Sequence, residues 1–248
     1  MLKSFGISGR ECAVELELLS LSADAGKITW FYGEENPDDF KVVYQGRTSV
    51  LEHSSGKRII GAEHLSAAAL AFSGCQFKLN APQGELPLLD GSAKLWAMEL
   101  EKVGGIKSER LHFHDIFEKE FEIKMDNRFI KYQRGEENCL EVKYDVERFG
   151  RNFSANVKIN SAKDLEKILL ARTYIFAEEL PSVGLSENLR GCGVVLGMEE
   201  DLLFENEPAF HKILDFLGDI ALYKGILPNG RFEIYNGGHE MHHNLLYY

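Results

Sequence analysis

The chain has 248 residues, 44% hydrophobic and 27% charged, the balance of a globular protein with room for one large domain or two modest ones. Its formal charge of −11 argues against a phosphate-backbone binder, which needs a basic face, so no nucleic-acid partner is expected. No apolar run reaches transmembrane length, the N-terminus lacks a signal-peptide core, and Cys12, Cys75, Cys139 and Cys192 are too scattered for a disulfide framework or a cysteine zinc site, so a cytoplasmic protein with reduced thiols and no transmembrane segment is expected.

Cys12, Val14, Leu16 and Leu18 alternate with Ala13, Glu15 and Glu17, the pattern of a half-buried strand. Residues 27–32 and 40–45 predict further strands, separated by a turn-rich 33–39. An alanine-rich helix follows over 61–70, then a strand over 76–79. Residues 87–93 turn into a helix that runs to about 103, with Asp90 or Ser92 placed to cap it. Gly104-Gly105 and the polar residues after them mark the best boundary, giving one domain over 1–107 and a second over 108–248.

The pattern then restarts, with strands over 118–124, 128–133, 140–146 and 153–159 and a helix over 162–171 capped by Ser161. Residues 194–196 form a short buried strand, 231–235 another, and Gly237-Gly238-His239 opens a last short helix. Strands followed by helices, twice over, predict an α+β fold of two similar halves, each a sheet layered against helices, with the helices packed between the two sheets.

The helix after Pro208 carries the chemistry. Proline suits a first helical turn, and Phe210, Ile213, Leu214, Leu217, Ile220 and Ala221 recur at helical spacing on an apolar face. His211, Asp215 and Asp219 form a second stripe, because residues at i and i+4 lie one turn apart on the same side. His-x-x-x-Asp is a short pattern that a solvated pair also produces, but the apolar flanks predict a buried helix, where unpaired charge does not persist. Acids also accompany His64, preceded by Glu63, and His239 lies beside its glycine pair.

Two histidines and one aspartate with a position left for water is the composition of a catalytic zinc site, and nitrogen and oxygen ligands without thiolate also admit Fe(II). Neighbouring helical residues point about 100° apart, so Glu63 would not share a metal with His64 but could take the proton of a metal-bound water.

Glu63-His64-Leu65, Asn80-Ala81-Pro82 with Pro87-Leu88-Leu89-Asp90-Gly91-Ser92-Ala93, Ala171-Arg172-Thr173-Tyr174 with Phe176, His211-Lys212 with Leu214-Asp215 and Gly218-Asp219, and Gly238-His239 stand in one order along the chain. Together they resemble UDP-3-O-acyl-N-acetylglucosamine deacetylase, the zinc hydrolase of lipid A synthesis, over nearly the whole chain. The resemblance implies Zn²⁺ on His64, His211 and Asp215, with Glu63 as general base. It implies Thr173 as hydrogen-bond donor to the oxyanion, His239 as acid to the departing amine or as a positive stabiliser, and Asp219 orienting His239. It further implies that Lys212 meets the diphosphate of a UDP-linked acylated N-acetyl sugar, that Tyr174 sits against the sugar, and that Leu180, Val183, Leu185 and Leu189 line an acyl passage.

The chain departs from the family pattern at Phe5-Gly6-Ile7-Ser8-Gly9, at Asn188–Gly193, at Phe210 and at Arg148–Asn152, and is short for the family. Two alternatives stand beside this reading: a deacetylase of another N-acetyl sugar, and a non-catalytic metal-containing binding protein. The remaining histidines carry bland expectations. His112 and His114 are taken as solvated or interfacial and His53 as exposed in a turn; His242 and His243 are taken as residues of a surface helix, with a reach to the site through the helix that His239 opens as the alternative. Cys75 and Cys192 are expected to be small buried hydrophobes.

Overall fold

The computed structural model describes residues 1–21, 27–32, 40–183, 189–198 and 202–245. The turn-rich stretch expected over 33–39 lies outside these, as does Leu185.

The first half opens with β1 (Leu2–Phe5), β2 (Glu11–Leu21) and β3 (Lys27–Phe31). A meander follows in β4 (Phe40–Gln45), β5 (Thr48–His53) and β6 (Arg58–Ile60), then α1 (Glu63–Ala69), β7 (Cys75–Asn80) and α2 (Lys94–Lys102). The main sheet runs β1-β2-β7-β3, antiparallel except for the β3/β7 pair. Cys75, Phe77 and Leu79 alternate inward on β7, as a one-sided sheet requires. The strands β5 and β6 are absent from the periodicity, because β5 is buried along nearly its whole length and so does not alternate. His53, expected in an exposed turn, ends β5 and is buried, its ring 5.0 Å from that of Phe40.

The second half holds β8 (Phe113–His114), β9 (Phe121–Met125), β10 (Arg128–Gln133), β11 (Leu140–Arg148), β12 (Arg151–Ile159), α3 (Glu166–Leu170), β13 (Tyr174–Phe176), α4 (Leu180–Val183) and β14 (Val194–Leu196). It closes with α5 (Glu207–Lys224), β15 (Leu227–Pro228), β16 (Gly230–Tyr235) and α6 (His239–Asn244). Its sheet runs β12-β11-β16-β10-β9, with β11/β16 as the parallel pair. The two halves share a build, a sheet with one parallel pair backed by helices.

The helices form the middle of the molecule. In the first half α2 lies on β2 and α1 on β3; in the second, α5 lies on β11 and β12 and also meets α1. Between Ala209 and Ala221 of α5 only Phe210 and Lys212 keep appreciable exposure. A helix so enclosed must satisfy every polar group it carries. The two helices meet closely at Gly218, where an added Cβ would come 2.1 Å from the Glu63 carbonyl oxygen. That glycine lets α5 bring His211, Asp215 and Asp219 up to the first turn of α1. No helix among the described residues is long and apolar enough to cross a membrane.

Candidate metal centre and its surroundings

Every residue expected at the site except Asp219 lines one pocket of about 920 Å³. Glu63 and His64 open α1, so their side chains leave the helix end toward α5. His211 and Asp215 reach the same point from α5, one turn apart. The Nε2 atoms of His64 and His211 lie 3.5 Å and 3.3 Å from Asp215 Oδ1. Ligand atoms on a tetrahedral zinc, about 2.0–2.1 Å from the metal, stand about 3.3–3.4 Å apart. Both imidazoles thus stand at the edge length of a metal tetrahedron from Asp215, and the three ligand atoms lie within 4.8 Å of one another.

Two of the donors, His211 and Asp215, are also in the right protonation state. His211 Nδ1 lies 3.2 Å from the Ala171 carbonyl oxygen, which only accepts, so Nδ1 carries the proton and Nε2 keeps its lone pair. Burial pushes the His211 imidazole down to about 3, so it is neutral at pH 7. Burial opposes ionisation of Asp215, but His211, Lys212 and His239 outweigh it and hold the carboxyl well below the usual range. All three side chains are buried.

A second trio, Asp219, His239 and His242, is as compact. Here Asp219 Oδ2 lies 2.8 Å from His239 Nδ1 and 2.7 Å from His242 Nδ1. Those are hydrogen-bond lengths, shorter than a ligand–ligand edge, so protons occupy the space between these atoms. Against the pull of burial, Asp219 and Asp215 raise the His239 imidazole to about 9. Its Nε2 points back to the first trio, 3.7 Å from Asp215 Oδ2.

Glu63 is buried beside the His64 trio, with the Thr48 hydroxyl donating to its Oε1 at 2.7 Å and the Ser49 amide to its Oε2 at 3.2 Å. Burial raises its carboxyl above the ordinary value. Thr173 is wedged between two glycines: a Cβ at either Gly91 or Gly193 would come 2.8 Å from its Cγ2. Next to it, Arg172 is gripped by Glu207 of α5, which accepts its amide at 3.0 Å, Nε at 2.8 Å and Nη2 at 3.0 Å.

Tyr174 stands edge-on to His211, with ring centroids 6.0 Å apart. Lys212 places its ammonium 2.8 Å from Asp215 Oδ2 and 5.6 Å from the centre of the Tyr174 ring. Of the residues expected along an acyl passage, Val183 and Leu189 line the pocket and Leu180 does not.

At several residues the structure departs from the preferred sequence expectation or adds to it. His242 and His243, expected on a surface helix, are buried, because α6 lies against α5. Their spacing from His239, three and four residues on, is the same signal that singled out His211 and Asp215. Thr48 and Ser49 carry no such signal, since they arrive through the β4–β5 hairpin.

The family model LpxC, UDP-3-O-acyl N-acetylglycosamine deacetylase, matches residues 6–248. The chain is 28% identical to the UDP-3-O-acyl-N-acetylglucosamine deacetylase of Nautilia profundicola, over 94% of this chain and 83% of that protein. It is 28% identical to the same-named protein of Trichormus variabilis, over 96% and 91% of the two chains. With that of Aquifex aeolicus it shares 30% identity over 77% of this chain and 69% of the relative. The order of the motifs, the convergence of their side chains and the span of the match have one conclusion: the chain belongs to the UDP-3-O-acyl-N-acetylglycosamine deacetylase family.

Proposed function

We propose that this protein is a zinc-dependent amide hydrolase that removes the acetyl group from the N-acetylglucosamine of a UDP-3-O-acyl sugar, a cytoplasmic step of lipid A synthesis. The observation that carries this reading is the convergence of His64 and His211 on Asp215 at the edge length of a metal tetrahedron, with Glu63 and His239 beside them. The two imidazoles and the carboxylate would hold Zn²⁺, and the same donors accept Fe²⁺. When bound, the metal supplies a Lewis acid for the amide carbonyl and lowers the pKa of a water to about 7.

Glu63 accepts the proton of the attacking water. Its two hydrogen bonds hold the carboxylate in place, and its burial raises the basicity it needs for the task. Thr173 donates to the oxygen on which charge develops. His239, held charged by Asp219, delivers a proton to the departing amine. Lys212 keeps its remaining N–H donors for the diphosphate while one sits on Asp215. Tyr174 packs against the sugar. The same reading divides the chain into 1–107, which brings Glu63 and His64, and 108–248, which brings the rest.

The test is metal content together with acetate release from UDP-3-O-acyl-N-acetylglucosamine. Glu63→Ala should keep its metal and lose turnover by about 10²–10⁴. Loss of metal in that variant would make Glu63 a ligand and overturn its role. A wild-type protein that binds zinc and releases no acetate from any N-acetyl sugar would be a binding protein.

A further inference from the structure

Helix α6 carries three imidazoles, and His239 alone faces the pocket. The other two sit behind it, buried, and each contacts the same α5 carboxylate, Asp219. We propose that Tyr223, His243 and Ser49 form a one-way hydrogen-bond chain ending on Asp219, and that this chain together with His242 fixes the carboxylate that orients His239. The inference rests on the role assigned to His239 above.

The direction of every bond follows from two facts, the ionised carboxylate of Asp219 and the neutral ring of His243. An ionised carboxylate only accepts hydrogen bonds. Burial opposes ionisation of Asp219, but His239 and His242 outweigh it and hold the carboxyl far below its ordinary value. The Ser49 hydroxyl, which touches Asp219 Oδ1, must therefore donate to it. Ser49 Oγ also lies 2.7 Å from His243 Nε2, and with its own proton spent it can only accept, so Nε2 of His243 carries a proton. Burial pushes the His243 imidazole down to about 4, so the ring is neutral and its Nδ1 is bare. That atom lies 2.6 Å from the Tyr223 hydroxyl, which must donate.

His242 obeys the same logic with its nitrogens exchanged. Its Nδ1 donates to Asp219 Oδ2 at 2.7 Å, and burial lowers its imidazole, so its Nε2 accepts from the Tyr144 hydroxyl at 3.2 Å. Neighbouring imidazoles of one helix thus hold opposite tautomers. Asp219 ends with donors on both oxygens: Ser49 on Oδ1, and His239 and His242 on Oδ2. The carboxylate cannot rotate without breaking them. His239 is thereby kept with Nδ1–H on Asp219 and Nε2 toward Asp215 and the pocket. Tyr223, His243 and His242 act on the pocket through Asp219, Ser49 does so by its hydroxyl while only its backbone amide reaches Glu63, and all four are positioning residues.

Nitrogen-15 NMR of the metal-loaded full chain reads the tautomers without substrate. His243 is expected as the Nε2–H form and His242 as the Nδ1–H form, both neutral at pH 7.5. A protonated or Nδ1–H His243 would break the chain and overturn the proposal. Ser49→Ala removes the acceptor that fixes the proton on Nε2, and should shift His243 toward a mixture of the two forms. In acetate release, Tyr223→Phe and Ser49→Ala should lower kcat by about 10-fold with KM unchanged, the scale of losses from residues that orient a site's ligands. Correct tautomers with unchanged kcat in both variants would show that the network does not act on His239. A wild type inactive on every N-acetyl sugar would sink the proposed function and leave the tautomer assignment standing.

Discussion

Gly218→Ala sets helix propensity against packing, and the structure decides the sign. On propensity alone the change should help, since glycine inside a helix costs about 1 kcal/mol relative to alanine. The new Cβ, however, would lie 2.1 Å from the Glu63 carbonyl oxygen and 2.7 Å from its carbonyl carbon, where real Cβ atoms keep at least 3.0 Å. The gap must open by at least 0.9 Å, from 2.1 to 3.0 Å, and the atoms on the far side are backbone, which cannot swing aside. Either α1 moves off α5 or its first turn unwinds. Overpacking of this kind costs about 1–3 kcal/mol, so a net loss of up to about 2 kcal/mol remains after the propensity gain. The functional loss should be larger. The displaced turn carries Glu63 and His64, and a shift of about 1 Å in a reacting group can cost about 10²-fold in rate. Urea unfolding and acetate release on the same preparation measure both. A variant that is about 1 kcal/mol more stable, with unchanged turnover, would refute the close approach of the helices.

The pH profile of kcat/KM should be a bell. Glu63, raised by burial, must be ionised, so activity climbs as pH rises through its elevated pKa. His239 must be protonated, so activity falls as pH passes about 9. His239→Gln should remove the alkaline limb, and an unchanged limb would mean that another group titrates there. At the entry to α5, Glu207→Gln should destabilise the fold by about 3 kcal/mol, the low end for breaking a buried pair, because Arg172 keeps 21% exposure. The Glu207 carboxyl is held below its ordinary range: burial opposes this, and Arg172 and the Leu203 amide outweigh it. Its contribution is therefore complete above the unfolded value of about 4.3 and is lost as pH falls through the folded one. A loss under about 1 kcal/mol at pH 7, or a loss that does not shrink in acid, would count against this pairing.

The amino-acid order by itself determined the local elements and the chemical inventory. Alternation marked β2, helical spacing marked α5, and the ordered motifs named the residues now found around one pocket. These are legible because period and residue type are properties of a single segment. Only the tertiary structure decided what each segment faces. His53, His242 and His243 sit in stretches that look polar and local, yet other elements cover them: Phe40 against His53, and α5 beneath α6. The spacing of His64 from His211 and Asp215 depends on how closely α1 and α5 approach at Gly218, and Thr48 and Ser49 reach the site through a hairpin whose buried strand shows no alternation. Burial and convergence are properties of pairs of segments, and a pattern read along one of them carries no record of the other.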